Sequence, residues 1–271
     1  MGRGTSKAGG GITISVGGSS GINPTLPTIT TVLQPPTPQQ VAQGNILPNG
    51  GVAFSEFQNM TDDEKADVIN DALRTGVPLF LDDSGMQRFA YFTGMSDKPN
   101  VVSDKALDSM NGTELFRTVH NAYNRQTDIG YSAKDICDQV SKGDFTMYSD
   151  SGGSAYGKAI YFADNLGGSL AYRSGSGTNL TMRAKITSGK GVDYNTNSNN
   201  YTKALSNGDK LAKACSKAGR GDAENLYALA KGYTHVTDRY SGYNMVLNRS
   251  CLSVSDTYKN SSTLARNGRW H

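Results

Sequence analysis

Residues 157–172 read GKAIYFADNLGGSLAY, and the reading of this stretch decides the fold. Gly152, Gly157 and Lys158 stand at the G-x-x-x-x-G-K spacing of a phosphate-binding loop. Such a loop needs Ser or Thr after the lysine to hold magnesium, and a helix there whose first amides face the phosphates. Here Ala159 follows, then Ile160, Tyr161 and Phe162, a β-branched and aromatic run that prefers strand. The Gly-Lys pair is therefore a turn into a strand.

Working outward, the 271 residues suffice for one substantial domain, or two, with a core that needs no covalent staples. With 32 glycines and 36% hydrophobic residues, the chain reads as loop-rich and polar, part of it outside any globular core. A net charge of +3 without a dense basic run argues against nucleic acid as a partner. Lys203, Lys210, Lys213, Lys217 and Arg220 form the only local basic cluster, and a solvated helix face accounts for it. Cys137, Cys215 and Cys251 are odd in number and widely spaced, so they suggest neither a disulfide framework nor a zinc site, and a reducing compartment is expected. No apolar stretch approaches the length of a membrane span, and MGRGTSKAGGG at the start lacks the apolar region of a signal peptide.

Residues 1–51, rich in Gly, Ser, Thr, Pro, Gln and Asn, cannot bury enough surface to offset ordering entropy and are expected to be a disordered tail. Within it ITISV, residues 12–16, alternates like a strand and could add to a partner's sheet edge. Residues 54–111 form a helical N-terminal part of the globular region. Thr61, Asp62, Asp63 and Glu64 make a capping box before a helix that Gly76 and Pro78 end. Residues 87–94, QRFAYFTG, read as an extended segment. A short helix is expected near 103–110, then a strand holding Leu115 to Val119, then a helix capped by Ser132 with Ile136 and Val140 inward.

Strands are expected at 157–163, 179–187, within YTHVT (233–237), and at 243–254 with a break at Asn248 and Arg249. Asp222 to Lys231 reads as a helix stopped by Gly232, and the polar stretch Gly189 to Asn207 as a surface loop. Sparse helices with late strands point to an α+β fold with split, mixed or antiparallel sheets and short flanking helices. Residues 257–271 are left as a C-terminal tail.

With the elements placed, GKAIYFADNLGGSLAY resembles the G-K-G-I-Y-F-A-D segment of the poly(ADP-ribose) polymerase branch of the ADP-ribosyltransferases, including the serine and tyrosine that follow at the same spacing, here Ser169 and Tyr172. LFRTVHN resembles the first strand of the family's NAD site, with Arg117 where the toxin branch has its arginine and Thr118 where the backbone holds the nicotinamide amide. GYTHV and YNMVLNRSCLSV look like the closing strands. The resemblance covers residues 112–256 and implies an NAD-binding domain. The shape of the whole chain also looks like proteins coded among bacteriophage structural genes.

What the resemblance implies is an enzyme that cleaves the bond between nicotinamide and ribose, with NAD as substrate and no metal, and transfers ADP-ribose to a protein acceptor. Gly157, Tyr161, Ser169 and Tyr172 would line the nicotinamide, and Arg117, whose fork of donors suits phosphate or ribose oxygens, would grip the rest together with Thr118. The rival reading of Arg117 is a surface arginine on an edge strand, and of Tyr156 a core aromatic. The family places a glutamate before the closing strand; alignment on Tyr243 puts Gly242 there, with Ser241 before it. Asp238 is the nearest candidate acid, with Glu224 and Asp150 more remote. His120 and His235 sit on strands without ligand spacing.

The alternative is a structural or cargo protein of a phage virion in which the same fold is a packed module and the tail docks to capsid or portal proteins. Either reading places the protein in a virion, in host cytoplasm, or in both. The two readings differ at the cleft between the strand of Arg117 and the strand of Tyr161: lined and open with an acid in reach for an enzyme, filled for a module.

Overall fold

The computed structural model describes residues 52–75, 80–81, 98–124, 129–142, 159–175, 177–219 and 221–270. In chain order the elements are β1 (Val52–Ala53), α1 (Phe54–Asn59), α2 (Asp62–Thr75), β2 (Phe80–Leu81), β3 (Asn100–Val102), α3 (Asp104–Ser109), β4 (Thr113–His120), β5 (Ala122–Asn124), β6 (Ile129–Tyr131) and α4 (Ala133–Lys142). There follow β7 (Ile160–Ala163), α5 (Leu166–Leu170), β8 (Asn179–Ile186), β9 (Gly191–Asp193), α6 (Tyr194–Ser206), α7 (Lys210–Ser216), α8 (Asp222–Ala230), β10 (His235–Asp238), β11 (Tyr243–Val246), a single 3-10 turn at Arg249–Cys251, β12 (Leu252–Asn260) and α9 (Ser261–Asn267). The expected tail 1–51 with its ITISV patch, the extended segment 87–94, and Gly157 lie outside the described residues.

Eight strands form one mixed sheet in the order β3-β12-β8-β4-β7-β11-β10-β9. Its end strands run parallel to their neighbours, β3 on β12 and β9 on β10, and the six central strands are antiparallel. The fold is thus mixed α and β, as its sequence pattern predicts. The central ladders are uneven. All eight residues of β4 pair with β8, from Thr113 opposite Ile186 to His120 opposite Asn179, yet β4 meets β7 at one pair only, Phe116 opposite Ala163.

Strand alternation divides the core. Leu115 and Val119 of β4, Met182 and Ala184 of β8, Ile160 and Phe162 of β7 and Val246 of β11 pack with Ile136, Cys137 and Val140 of α4 on one face. On the other face Phe116 packs with Leu170, Leu264 and Trp270, while Met245, half-buried Tyr161 and the helices α2, α7 and α8 form a second cluster further along. The capping box opens α2 as expected: Thr61 N donates to Glu64 Oε2 at 2.7 Å and Glu64 N to Thr61 Oγ1 at 3.3 Å. Two of the lysines of the basic cluster tie α7 to α2, Lys210 to Asp63 at 2.9 Å and Lys217 to Asn70 at 2.7 Å.

Three expectations change. The stretch 189–207 is β9 and α6, not a loop: Asp193 caps the helix by accepting from Thr196 N at 3.1 Å, buried Asn197 donates to Glu224 O at 3.0 Å, and the Tyr201 ring meets Tyr227 at 5.5 Å. The packed face of this helix, Tyr194, Asn197, Tyr201, Ala204 and Leu205, is too thinly apolar to stand out among the surrounding Asn, Ser and Thr. Residues 257–270 are not a tail, since β12 continues to Asn260, α9 follows with Leu264 buried, and Trp270 beyond it is buried too. Trp270 Nε1 donates to Asp104 at 3.2 Å and Lys259 Nζ to Trp270 O at 2.6 Å, which fixes this end of the chain to α3. Finally, the division between 111 and 112 cuts through one sheet, because β3 pairs with β12 and Asp108 of α3 binds buried Arg183 of β8.

Candidate functional site

Arg117 and Thr118 are neighbours on β4, so a pleated strand must send them to opposite faces. Arg117 stands opposite Met182, among the residues under α4. Its Nη1 donates to the carbonyl of Tyr161 across the β4–β7 gap at 2.7 Å. The reason is local: with one ladder pair between the strands, that carbonyl takes its donor from a side chain. Burial pushes the nearby Cys137 thiol up to about 12 in spite of the Arg117 charge, so this thiol is no nucleophile. Burial likewise pushes up Cys215 and Cys251.

On the opposite face Thr118 Oγ1 lies 2.9 Å from Ser169 Oγ and 2.8 Å from Thr181 Oγ1, and Thr181 Oγ1 lies 2.8 Å from Ser261 Oγ. The four buried hydroxyls form a continuous chain from α5 through β4 and β8 to the start of α9. Ser169 is held there by the short helix α5, whose cap Asn165 accepts from Gly168 N at 2.7 Å. Two residues beyond α5 the side chain of Tyr172 is exposed; its hydroxyl donates to that of Tyr243, with the rings edge-on and 6.0 Å apart. Tyr243 opens β11 opposite Ala163, the residue of β7 that pairs with β4, so this tyrosine pair stands beside the seam.

The sequence-selected residues therefore fall into three groups. Thr118, Ser169 and Tyr172 come to one face of the seam. Tyr161 lies on its floor, contributing its carbonyl to Arg117 and its ring to the cluster of α2, α7 and α8. Arg117 faces away from Ser169, where it braces β7 rather than gripping a ligand on the Ser169 side.

Asp238 stands opposite Tyr243 in the β10–β11 ladder. It is buried, accepts from Tyr240 N at 2.9 Å, from Ser241 N at 3.4 Å and from the Ser241 hydroxyl, and so shapes the β10–β11 turn. Glu224 sits on α8 and accepts from Ser198 of α6 at 3.1 Å, away from the seam, and Asp150 lies outside the described residues. His120 is exposed, its Nδ1 2.8 Å from Asn121 O.

Sequence reasoning missed Asp164, Thr181, Tyr243 and Ser261. Gly242, where the resemblance calls for glutamate, has φ +70°, and a Cβ placed there would meet Asp164 Oδ1 at 2.9 Å. Asp164 N donates to Gly242 O at 3.0 Å, which locks the two residues together. A carboxylate thus lies beside position 242, supplied by the neighbouring strand end. The available signal was the Asp inside the quoted stretch together with a glycine where a side chain was due. Among the described residues no group of three or more His, Cys, Asp or Glu is placed to hold a metal ion, and no helix is long and apolar enough to cross a membrane.

No family model, curated protein or solved structure matches this chain.

Proposed function

We propose that the protein is an NAD-dependent ADP-ribosyltransferase-like enzyme that cleaves the nicotinamide–ribose bond and passes ADP-ribose to a protein acceptor. The observation that carries this reading is the meeting of the Ser169 and Thr118 hydroxyls at 2.9 Å in a seam whose strands share one pair, beneath the Tyr172–Tyr243 pair.

A flat amide-bearing ring needs a donor or acceptor at its carboxamide and aromatic walls at its faces, which are the parts that Ser169 and the Tyr172–Tyr243 pair offer. Ser169 gives up its bond to Thr118 when it turns to a ligand, and Thr118 keeps Thr181 as partner, so no buried hydroxyl is orphaned by the exchange. In cleavage the electron pair of the C–N bond leaves with nicotinamide, and positive charge moves to the ribose. A fixed arrangement of polar groups around that charge lowers the barrier because it needs no reorganisation at the moment of reaction. The role of Arg117 is to hold β7, and with it Tyr161, in register.

A second reading has its own observation. The hydroxyl chain Ser169–Thr118–Thr181–Ser261 ties the seam shut with the chain's own groups, which suits a catalytically silent module of a phage virion, docked to capsid or portal proteins through residues 1–51.

Nicotinamide release from NAD, measured by mass spectrometry with Ser169→Ala and Tyr172→Ala alongside, separates the two. The enzyme reading expects release by the native protein and a drop of about 10-fold or more in each variant. No release, with host extract supplied as acceptor, favours the silent module.

A further inference from the structure

The face of the seam that carries Ser169 is covered by the chain's own C-terminal segment. Strand parity sends Phe116 and Thr118 of β4 to this face, with their partners Arg183 and Thr181 of β8. Helix α9 packs there against α5 and β8. Its first residue, Ser261, ends the hydroxyl chain 2.8 Å from Thr181, and its Leu264 packs with Phe116 and with Leu170, the neighbour of Ser169. Past the left-handed stop at Gly268 (φ +68°), the Trp270 ring lies against Phe116 with centroids 5.9 Å apart. Phe116 is the residue of β4 that pairs with β7, so the segment ends on the side chain of the seam's one ladder pair.

The way this cover is held sets it apart from the sheet. Its apolar contacts are the small cluster of Phe116, Leu170, Leu264 and Trp270, separate from the two larger cores. The rest of its hold is polar: Trp270 Nε1 donates to Asp104 at 3.2 Å, and Lys259 Nζ donates to Trp270 O at 2.6 Å. Lys259 Nζ also stands 4.8 Å from the indole centroid, and the Arg183 guanidinium 6.0 Å from it. A helix of seven residues is marginal in water by itself, so α9 keeps its form only while these anchors hold. A terminal element with few buried apolar contacts opens at lower cost than a ladder paired along its length.

We propose that residues 261–270 are a strap, closed over the Ser169 face in this structure, that opens as a unit while the β4–β8 ladder stays formed. Opening withdraws Ser261 from Thr181, and Leu264 and Trp270 from Phe116 and Leu170. It thereby uncovers α5 and the buried hydroxyls beside it, so the strap governs access to this face. That the ligand reaching the open face is NAD rests on the reading above.

Trp270 is the only tryptophan of the chain, so its fluorescence reports the strap alone. In a urea titration of the native protein its emission should shift to the red at lower urea than the loss of far-ultraviolet circular dichroism. Without urea, amide exchange in 261–267 and in 166–170 should be about 10-fold or more faster than in the β4–β8 ladder. Trp270→Ala should speed exchange in 166–170 by a further factor of about 10 and leave the ladder within about 2-fold of the native protein. One urea transition common to both probes overturns the proposal, and so does exchange in 166–170 that is unchanged by Trp270→Ala. None of these measurements contains NAD, so a failed strap leaves the NAD reading standing, and a protein inert to NAD leaves the strap standing.

Discussion

The two edges of β4 are built differently. Toward β8 the strand is satisfied along its whole length, with eight residue pairs backed by Leu115, Val119, Met182 and Ala184, all buried. Toward β7 it makes a single pair, and side chains do the joining: the Arg117 guanidinium on one face, the Thr118 and Ser169 hydroxyls on the other. A ladder saturates the backbone and leaves nothing for a ligand. A seam held by side chains leaves groups that could exchange those bonds for others, and the hydroxyl chain that starts there runs on through Thr181 of β8.

The contrast can be broken or sharpened by substitution. On the ladder side Leu115→Ala should have the largest effect, about 2–5 kcal/mol of lost stability read from urea unfolding, because the fully buried side chain leaves a cavity. At the seam Arg117→Ala should cost less, about 1.5–3 kcal/mol, by removing a charged donor from the Tyr161 carbonyl. Its signature is faster amide exchange in β7 with β8 still protected; equal loosening of both strands would deny the seam its separate character.

Smaller again is Gly242→Ala, about 1–2 kcal/mol from the left-handed backbone together with the contact to Asp164. Combining it with Asp164→Gly should recover the contact part and leave the backbone part, a non-additivity that a double-mutant cycle reads directly. Smallest is a pH effect at β10, next to the sheet's edge strand β9. Burial of His235 in β10 lowers its pKa below the usual value of about 6.5. The unfolded chain then binds the proton more readily, so this contribution is intact above about 6.5 and is lost as pH falls through the folded value. His235→Gln should flatten that slope in thermal melts between neutral and mildly acid pH.

Much of the seam was legible in sequence because its pieces are local. The run Ile160 to Ala163 specifies a strand without reference to anything distant, whereas the short helix that follows it, Leu166–Leu170, was not expected. Strand parity separates Arg117 from Thr118, a consequence that the expectation of both gripping one ligand did not draw. What escaped is non-local. The partners of Thr118 come from β8 and α9, and the neighbour of Asp164 is a glycine on another strand, so no window of sequence contains the pair. Asp238 was attractive by proximity in the chain, but proximity also lets a carboxylate fold back on its own turn. The helix α6 mixes buried Asn197 with Tyr201 and a few half-buried apolar residues, and the C-terminal segment is anchored by Leu264 of α9 and by Trp270 beyond it, so neither shows a plain apolar stripe.

The proposal that NAD binds on the Ser169 face of the β4–β7 seam is tested most directly by amide hydrogen exchange with and without NAD. Added NAD should slow exchange in residues 160–172, and leave the β4–β8 ladder as it was. Unchanged exchange across 160–172, or protection confined to α2, α7 and α8, would contradict the account.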